Sequence, residues 1–138
     1  MSHTRQDIGV ASQIGMYSDA VETAPNLRWL FTSGTPGLPQ DGKLANDITV
    51  QTELAWEHVL HMLAKADMSV ADIVKVTQYL TRAEDIKAYA RVRTKYLDDA
   101  RPASMLLVIP QLVWPAILVE VEVIAAKGPD PGAERAAG

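Results

Sequence analysis

Residues Ile117–Ala125 read ILVEVEVIA, and this stretch decides the fold. Successive side chains of a β-strand point to opposite faces, so the stretch has two different sides. One side carries Ile117, Val119, Val121 and Val123, and the other carries Leu118, Glu120, Glu122 and Ile124. The first side suits a hydrophobic core. Carboxylates on the second side need solvent, a partner or a chemical role, because burying them alone is costly.

Upstream of this strand, segments in which apolar residues recur at helical spacing alternate with strand-like segments. Before the first helical segment, Asn46 and Asp47 can cap a helix over 48–66. Its predicted buried stripe is Ile48, Thr52, Ala55, Val59, Met62 and Ala66. Other strands are predicted at 19–21, 29–33, 73–81 and 103–109.

A second helix is predicted to follow the strand at 73–81. Thr81 and Glu84 have the spacing of a capping box, so we expect the helix to begin there and to reach Leu97. Its inward stripe would be Ile86, Ala90 or Tyr89, Arg93 and Leu97. This stripe is less apolar than that of the first helix, because it includes an arginine.

The order of elements implies an α+β domain, a single mixed β-sheet with two helices on one face. The other face of the sheet is then bare in a single copy of the chain. Residues Met105–Ile109 are apolar on both faces, and a strand of that kind needs cover on both sides. Because the simplest cover is the same face of neighbouring copies, we expect an oligomer.

Composition excludes several classes of function. The 138 residues carry a net charge of −4 without a basic run, which disfavours a nucleic-acid partner. The absence of cysteine excludes disulfides and thiolate catalysis. Residues 1–10 are polar and no run is long enough to span a membrane, so we expect a cytoplasmic protein without a membrane partner. We expect one domain over 1–126 and a flexible tail over 127–138, where glycine and proline recur.

Several segments resemble, in order and at the expected intervals, the pattern of the Rid (reactive intermediate deaminase, or YjgF) family. They are Ile14–Ala20, Phe31–Gly34, Asp41–Leu44, Gln51–Thr52, Asp72–Thr77, Pro102–Ser104 and Val119–Glu122. Each segment alone is weak evidence, but the ordered set covers roughly residues 8–126. The resemblance implies a chorismate-mutase-like fold and a homotrimer with small-molecule sites between subunits.

The resemblance also implies a reaction and a set of site residues. The reaction is hydrolysis of reactive imines or enamines to a carbonyl compound and ammonia, with no metal and no organic cofactor. Glu120 matches the carboxylate that positions the attacking water, and Tyr17 matches the site tyrosine. Ser33 and Gly34 match the substrate-binding Ser-Gly of the pocket, where Thr35 replaces the usual glutamine, and Ala103 lies in the Pro-Ala segment.

The main departure from the family pattern is at Ser104. Deaminases of the family carry there an arginine that binds the substrate carboxylate through two parallel hydrogen bonds. A serine offers one neutral bond, so either the substrate lacks that carboxylate or another cation supplies the charge. We expect a substrate that differs from the usual imino acids, such as an amino-diene of the aminomuconate type from aromatic-ring degradation. Arg91 and Arg93 are candidates on the second helix. Arg101 precedes the proline, and its odd offset would turn it to the opposite strand face.

Alternative interpretations remain at this point. The serine also favours a non-catalytic, regulatory small-molecule binder of the same trimeric fold. A ribonuclease is a third possibility, although no basic patch supports it. Residues 37–43 have the spacing of a phosphate-binding loop, but Leu44 stands where a hydroxyl is needed, so we interpret them as a turn. His58 and His61 could chelate a metal only weakly, and we interpret them as a solvated helix face.

Overall fold

A computed structural model describes residues 3–129 of the protein. The predicted tail lies outside the described residues from position 130 onward. The helices are α1, Ile48–Lys65, and α2, Ile86–Leu97. The strands are β1, Thr4–Gln6; β2, Ala20–Glu22; β3, Arg28–Phe31; β4, Thr35–Pro36; β5, Ile73–Leu80; β6, Ala103–Val108; and β7, Val119–Lys127.

The main sheet is mixed, as predicted. Its strands lie in the order β3-β7-β5-β6, and β4 adds a short pairing to β7. Only β5 and β6 run parallel, and α2 provides the crossover between them; the pairings of β3, β4 and β5 with β7 are antiparallel. Strand β7, which contains the quoted stretch, is therefore central, and β6 lies at an edge.

The hydrophobic core lies between this sheet and the helices. Val119, Val121 and Val123 are almost fully buried, as their predicted common face requires. They pack with Val76 and Leu80 of β5 and with residues of both helices, which confirms that both helices cover one face. Within residues 3–129, no helix combines the length and the hydropathy needed to cross a membrane.

The opposite sheet face is open in the single chain. The side chains of Glu120, Glu122 and Ile124 on β7 lie there and are only partly buried. Phe31 is 68% exposed and stacks on Trp29, with 6.2 Å between their ring centroids. Met105 on β6 is 51% exposed. The apolar strand that we expect to need a second cover is therefore left bare by its own chain.

One strand was missed, and several predicted strand boundaries are wrong. Strand β1 has no predicted counterpart, and it pairs with β2 in a separate two-stranded sheet. The strand predicted at 29–33 ends at Phe31, because Thr32 leaves the regular ladder and its hydroxyl accepts the amide of Val123. Strand β7 begins at Val119 and continues to Lys127, so it starts and ends two residues later than predicted.

The predicted capping box of the second helix is also wrong. A 3₁₀ turn occupies Ala83–Asp85, and α2 begins only at Ile86. No side chain caps either start with a hydrogen bond. Instead of a capping box, an ion pair of 2.8 Å between Arg82 and Asp85 spans this turn. The acidic residues of the first turn still face the positive end of the helix dipole, which favours that position for them.

The buried faces of the helices differ partly from the predicted stripes. Helix α1 is capped by Asp47, whose carboxylate accepts the amide of Val50 at 3.0 Å, as expected. Its buried residues are Gln51, Thr52, Ala55, Trp56, Val59 and Leu63. Helix α2 buries Tyr89, Val92 and Leu97, whereas Ile86 is exposed. The predicted stripes did not include Trp56, Leu63 and Val92, which are buried. The apolar face of a helix is wider than one line of residues, so it also includes the positions beside that line.

The side chain of Gln51 joins α1 to two loops through hydrogen bonds, so we expect its replacement to destabilise the fold. Its amide nitrogen donates to the carbonyls of Ala45 and Ala116, and its oxygen accepts the buried amide of Leu118. Gln51→Ala should lower the free energy of unfolding by about 2–4 kcal/mol, because it leaves a buried amide without an acceptor and creates a cavity. Urea unfolding followed by tryptophan fluorescence measures the loss. Gln40→Ala, the same change at an exposed position, is the control and should be nearly neutral; equal effects of the two would contradict this role.

Candidate active site

The residues selected from the sequence form two groups in the single chain. Glu120, Ser33 and Gly34 make up the first group, beside the open sheet face, and Thr35 follows them with its register partner Val121 on the buried face. Thr35 pairs in register with Val121 and Pro36 pairs with Glu120, so β4 places the segment beside the carboxylate. Gly34 lies so close that a Cβ built there would collide with Oε1 of Glu120. Glycine at this position therefore leaves the space that the carboxylate occupies.

The electrostatics of the first group centre on Glu120. Burial raises the pKa of its carboxyl above the ordinary value, and repulsion from Glu122 raises it further. Glu122 in turn accepts a hydrogen bond of 2.9 Å from the hydroxyl of Tyr79. That bond to a carboxylate raises the pKa of the Tyr79 phenol, which stays a donor at neutral pH. Glu120 therefore keeps both oxygens available, in a site that favours uptake of a proton.

Removing the charge of Glu122 should lower the pKa of Glu120. In Glu122→Gln the repulsion disappears, whereas burial, the larger cause, remains, so the pKa should fall and stay above the ordinary value. A ¹³C NMR titration of the Glu120 side-chain carboxyl measures both values directly. Glu22→Gln, at an exposed position of β2, is the control and should leave the titration unchanged. An unchanged pKa in the Glu122 variant would show that the two carboxylates do not interact.

The second group lines a cavity of about 390 Å³ at the other side of the sheet, next to the edge strand β6. Tyr17, Arg93 and Ser104 contribute its polar lining, and apolar residues such as Ile86 and Leu106 form the rest. Ser104 pairs in register with Val76, whose side chain is fully buried beneath the helices. Ser104 therefore lies on the helix side of the sheet, and Glu120 is not part of this cavity.

A network of hydrogen bonds centred on Gln78 connects residues beside this cavity. The fully buried Gln78 accepts a hydrogen bond from the hydroxyl of Tyr89, at 2.6 Å, and one from Nη1 of Arg93, at 3.2 Å. Its amide nitrogen donates to Oγ of Ser104 and to the carbonyl of Met105, both at 2.9 Å. Burial raises the pKa of Tyr89 strongly, so its phenol remains a donor. Gln78 thus connects Arg93 to Ser104.

Sequence reasoning missed Gln78. The residue follows Val76 by two positions, so the strand periodicity placed it on the buried face of β5. A polar amide on such a face was the available signal, because a buried amide needs hydrogen-bond partners.

Tyr17 reaches the second group because its loop is fixed at both sides. The amide of Ser18 donates to the carbonyl of Pro102, and its hydroxyl donates to that of Arg101. The carboxylate of Asp19 accepts the amides of Ile8 and Ala11, at 2.7 and 2.8 Å. The hydrogen bond from Ile8 is the largest cause of a lowered pKa for Asp19. The loop before the tyrosine is therefore held to the start of β6.

The other two predicted binding residues lie apart from this cavity. Nη1 of Arg101 donates to the carbonyls of Asp98 and Ala100, at 2.7 and 2.9 Å, beyond the end of α2. Ala103 is in register with Lys75 and lies on the open side of the sheet. Arg91 is exposed on α2. Of the cationic candidates from the sequence, Arg93 is the one that lines the cavity beside Ser104.

Of the two motifs that we set aside, the turn at 37–43 has the expected geometry, whereas His58 is partly buried and does not lie on a fully solvated face. Gly42 has a positive φ of 76°, and its amide closes a turn onto the carbonyl of Pro39. One ring nitrogen of His58 lies 2.8 Å from the carbonyl oxygen of Leu38. In the described part of the chain, no group of three or more histidine, aspartate and glutamate side chains is arranged to hold a metal ion.

Comparison with known proteins decides the family. A family model described as Endoribonuclease L-PSP matches residues 9–127. A RutC family protein of Pyrococcus abyssi is 32% identical over 116 residues, which cover 83% of this chain and 88% of that protein. The chain belongs to the Endoribonuclease L-PSP family, also known as the Rid or YjgF family. Its resemblance to that family, inferred from short segments, is thereby confirmed.

Relatives of this Rid family member with more specific names also match. TdcF of Escherichia coli K12, whose name assigns it provisionally to the reactive intermediate deaminases, is 32% identical over 87 residues, 62% of this chain and 65% of that protein. A crystal structure of E. coli TdcF with bound serine superposes with a TM-score of 0.68 and 26% identity, covering 93% and 98% of the two chains. YyfB of Yersinia pestis, from the conserved Rid protein family, reaches 0.80 at 22% identity, covering 92% and 100%. These structures confirm the fold class.

Proposed function

We propose that this Rid family protein is a deaminase that hydrolyses small reactive imines or enamines. Water adds to the electrophilic carbon of the protonated imine, the C–N bond breaks, and a carbonyl compound and ammonia leave. Glu120 accepts a hydrogen bond from the attacking water and takes its proton. The observation that carries the proposal is the carboxylate of Glu120, half-buried against Gly34 with a raised pKa. A carboxyl whose pKa is raised toward neutrality is suited to accept and return a proton.

The remaining site residues hold the substrate in this proposal. Gly34, which lies against Glu120, and the preceding Ser33 bind the substrate in this proposal, and Thr35 follows them on β4. Tyr17 donates a hydrogen bond from the second group. The chemistry needs no metal and no organic cofactor, because a carboxylate and a protonated nitrogen are sufficient for acid–base hydrolysis.

We propose further that the site is assembled between copies of a homotrimer. In one chain Glu120 lies on the open sheet face, whereas Tyr17 and Ser104 lie at the cavity by the edge strand. A second copy placed on the open face would bring the two groups together. It would also cover the apolar side chains of Met105 and Phe31, whose contact with water is unfavourable in a single chain. The provisional deaminase name of TdcF, and the serine bound in its crystal structure, support a small amino-acid-derived substrate.

Ammonia release tests the proposal directly. Imines and enamines are generated in situ by a separate amino-acid oxidase or dehydratase, and ammonia is measured with and without this protein. The protein should accelerate release from at least one member of the panel. If no substrate of the panel releases ammonia faster with the protein, and a metabolite raises its Tm, the result would instead support a non-catalytic binder. Sedimentation equilibrium tests the assembly, and a stable monomer would contradict the shared site.

A further inference from the structure

Within residues 3–129, the guanidinium of Arg93 has no ion-pair partner. The ion pairs in residues 3–129 join Arg82 to Asp85 and Lys127 to Asp67, and Arg93 takes part in neither. Among the described residues, its guanidinium donates one hydrogen bond, to the neutral oxygen of Gln78. No acidic side chain lines the cavity that it enters. Because a guanidinium has several donors in one plane, one hydrogen bond leaves most of them available to a ligand in the cavity.

The surroundings hold this cation in one place. Its central carbon lies 5.7 Å from the centre of the Tyr89 ring, within range of a cation–π interaction. Nη2 lies beside Gly15, 4.0 Å from the position that a Cβ would take there. Gln78 cannot turn away easily, because Tyr89, Ser104 and the carbonyl of Met105 use its other hydrogen-bonding positions. A partly buried, oriented and unneutralised guanidinium is arranged to bind an anion.

We propose that Arg93 binds the carboxylate of the substrate and thereby determines specificity. This inference rests on the proposed deaminase function and names its substrate class, a small monocarboxylate with an aliphatic part. The carboxylate lies against Arg93, and the aliphatic part lies against Ile86, Ala90 and Leu106 of the cavity wall. Gln78 acts as a positioning residue, since it links Arg93 to Ser104. A cation from α2 thus replaces the one that the family presents from β6.

The rival cations are placed elsewhere. Arg101 uses Nη1 on two backbone carbonyls after α2, and Arg91 is exposed to solvent on the outer side of that helix. The alternative that the substrate lacks a carboxylate would leave Arg93 unpaired in a largely apolar cavity, at a cost in solvation with no compensating partner. The geometry therefore favours a replaced cation over an uncharged substrate.

A pair of isosteric probes tests the charge requirement without catalysis. Butanoate and butanamide have nearly the same shape and differ in charge, and NMR titration of the assembled protein gives both dissociation constants. Butanoate should bind at least about 10-fold more tightly, as a charge-assisted bond requires. Arg93→Gln should remove that preference, and Arg93→Lys should keep part of it. Arg91→Gln, the matched change on the same helix, should leave the preference intact.

A charge-relocation variant makes the test sharper. In the double variant Arg93→Gln with Ser104→Arg, the cation returns to β6, and preference for butanoate should reappear. Equal binding of the two probes by the unsubstituted protein would overturn the proposal, and so would a preference that survives Arg93→Gln in a folded protein of unchanged Tm. Glu120→Gln should keep the preference for butanoate while it loses ammonia release, which would separate the base from the anion site. Absence of any deaminase activity beside intact, Arg93-dependent binding would refute the proposed reaction and leave the anion site standing.

Discussion

Replacing Glu120 by glutamine is expected to lower the rate of ammonia release about 10²–10⁴-fold, the range that one general base contributes. Glutamine has nearly the same shape and can still contact water, but it cannot accept the proton that the attacking water loses. The neighbouring Glu122 is a poorer base, because the hydrogen bond from Tyr79 stabilises its ionised form. The loss should appear in kcat, since the binding groups of the substrate are unchanged.

The same substitution should make the protein more stable at neutral pH. The pKa of Glu120 is raised in the folded state, so the folded protein binds this proton more tightly than the unfolded chain does. Stability from this group is therefore present at low pH and declines as pH rises from the ordinary carboxyl pKa through the raised one. Above that window the ionised carboxylate costs stability, which Glu120→Gln avoids. The Tm of the variant should exceed that of the original at pH 7, and the difference should shrink in acid.

Two results would contradict this account of Glu120. One is a variant that retains more than half of the activity on every substrate of the panel, which would place the base elsewhere. The other is a variant that is inactive because it is unfolded or dissociated, which circular dichroism and sedimentation detect. Glu57→Gln, an equivalent change on the exposed side of α1, is the control and should alter neither the rate nor the Tm.

The sequence was sufficient to predict the central strands of the sheet, because the alternation of apolar and polar residues along a strand reflects which of its two faces is buried. The alternation in residues 117–125 placed Val119, Val121 and Val123 in the core correctly. It was not sufficient for β1, whose three exposed residues have no apolar pattern. The predicted capping box failed for another reason: Thr81 ends the ladder region, where its amide bonds to the carbonyl of Leu118, so the chain cannot yet turn into a helix.

The two candidate groups differ in how far the sequence could describe them. Family-like segments pointed to Glu120 and Gly34, and the register of β4 with β7 explains why they meet. Local patterns could not choose between Arg93 and Arg101, since that choice depends on where α2 ends and which carbonyls lie beyond it. Nor could they reveal the chain from Tyr89 through Gln78 to Ser104, whose members are separated by 11 and 26 residues along the sequence. Contacts of that kind arise only from tertiary packing.

Gly34→Ala is expected to reduce activity about 100-fold while the fold survives, because displacing a catalytic group by about 1 Å can have an effect of that size. The added Cβ would collide with Oε1 of Glu120, which lies at the end of a flexible side chain and can move away at low cost. The backbone of Gly34 does not have the positive φ that disfavours alanine, so the change introduces no backbone strain. What it changes is the position of the carboxylate relative to the attacking water.

The contrast with other glycines separates this effect from a loss of stability. At Gly37 a Cβ would meet the backbone of Gln51 in α1, which cannot give way, so Gly37→Ala should destabilise the fold instead. At Gly128 no atom lies within 4 Å, and Gly128→Ala should change neither property. Rates of ammonia release and Tm values for the three variants provide the comparison. If Gly34→Ala loses as much stability as Gly37→Ala, or keeps full activity, then the contact between Gly34 and Glu120 does not position the carboxylate. A selective loss of activity at Gly34 would mean that glycine is needed there to leave room for the carboxylate.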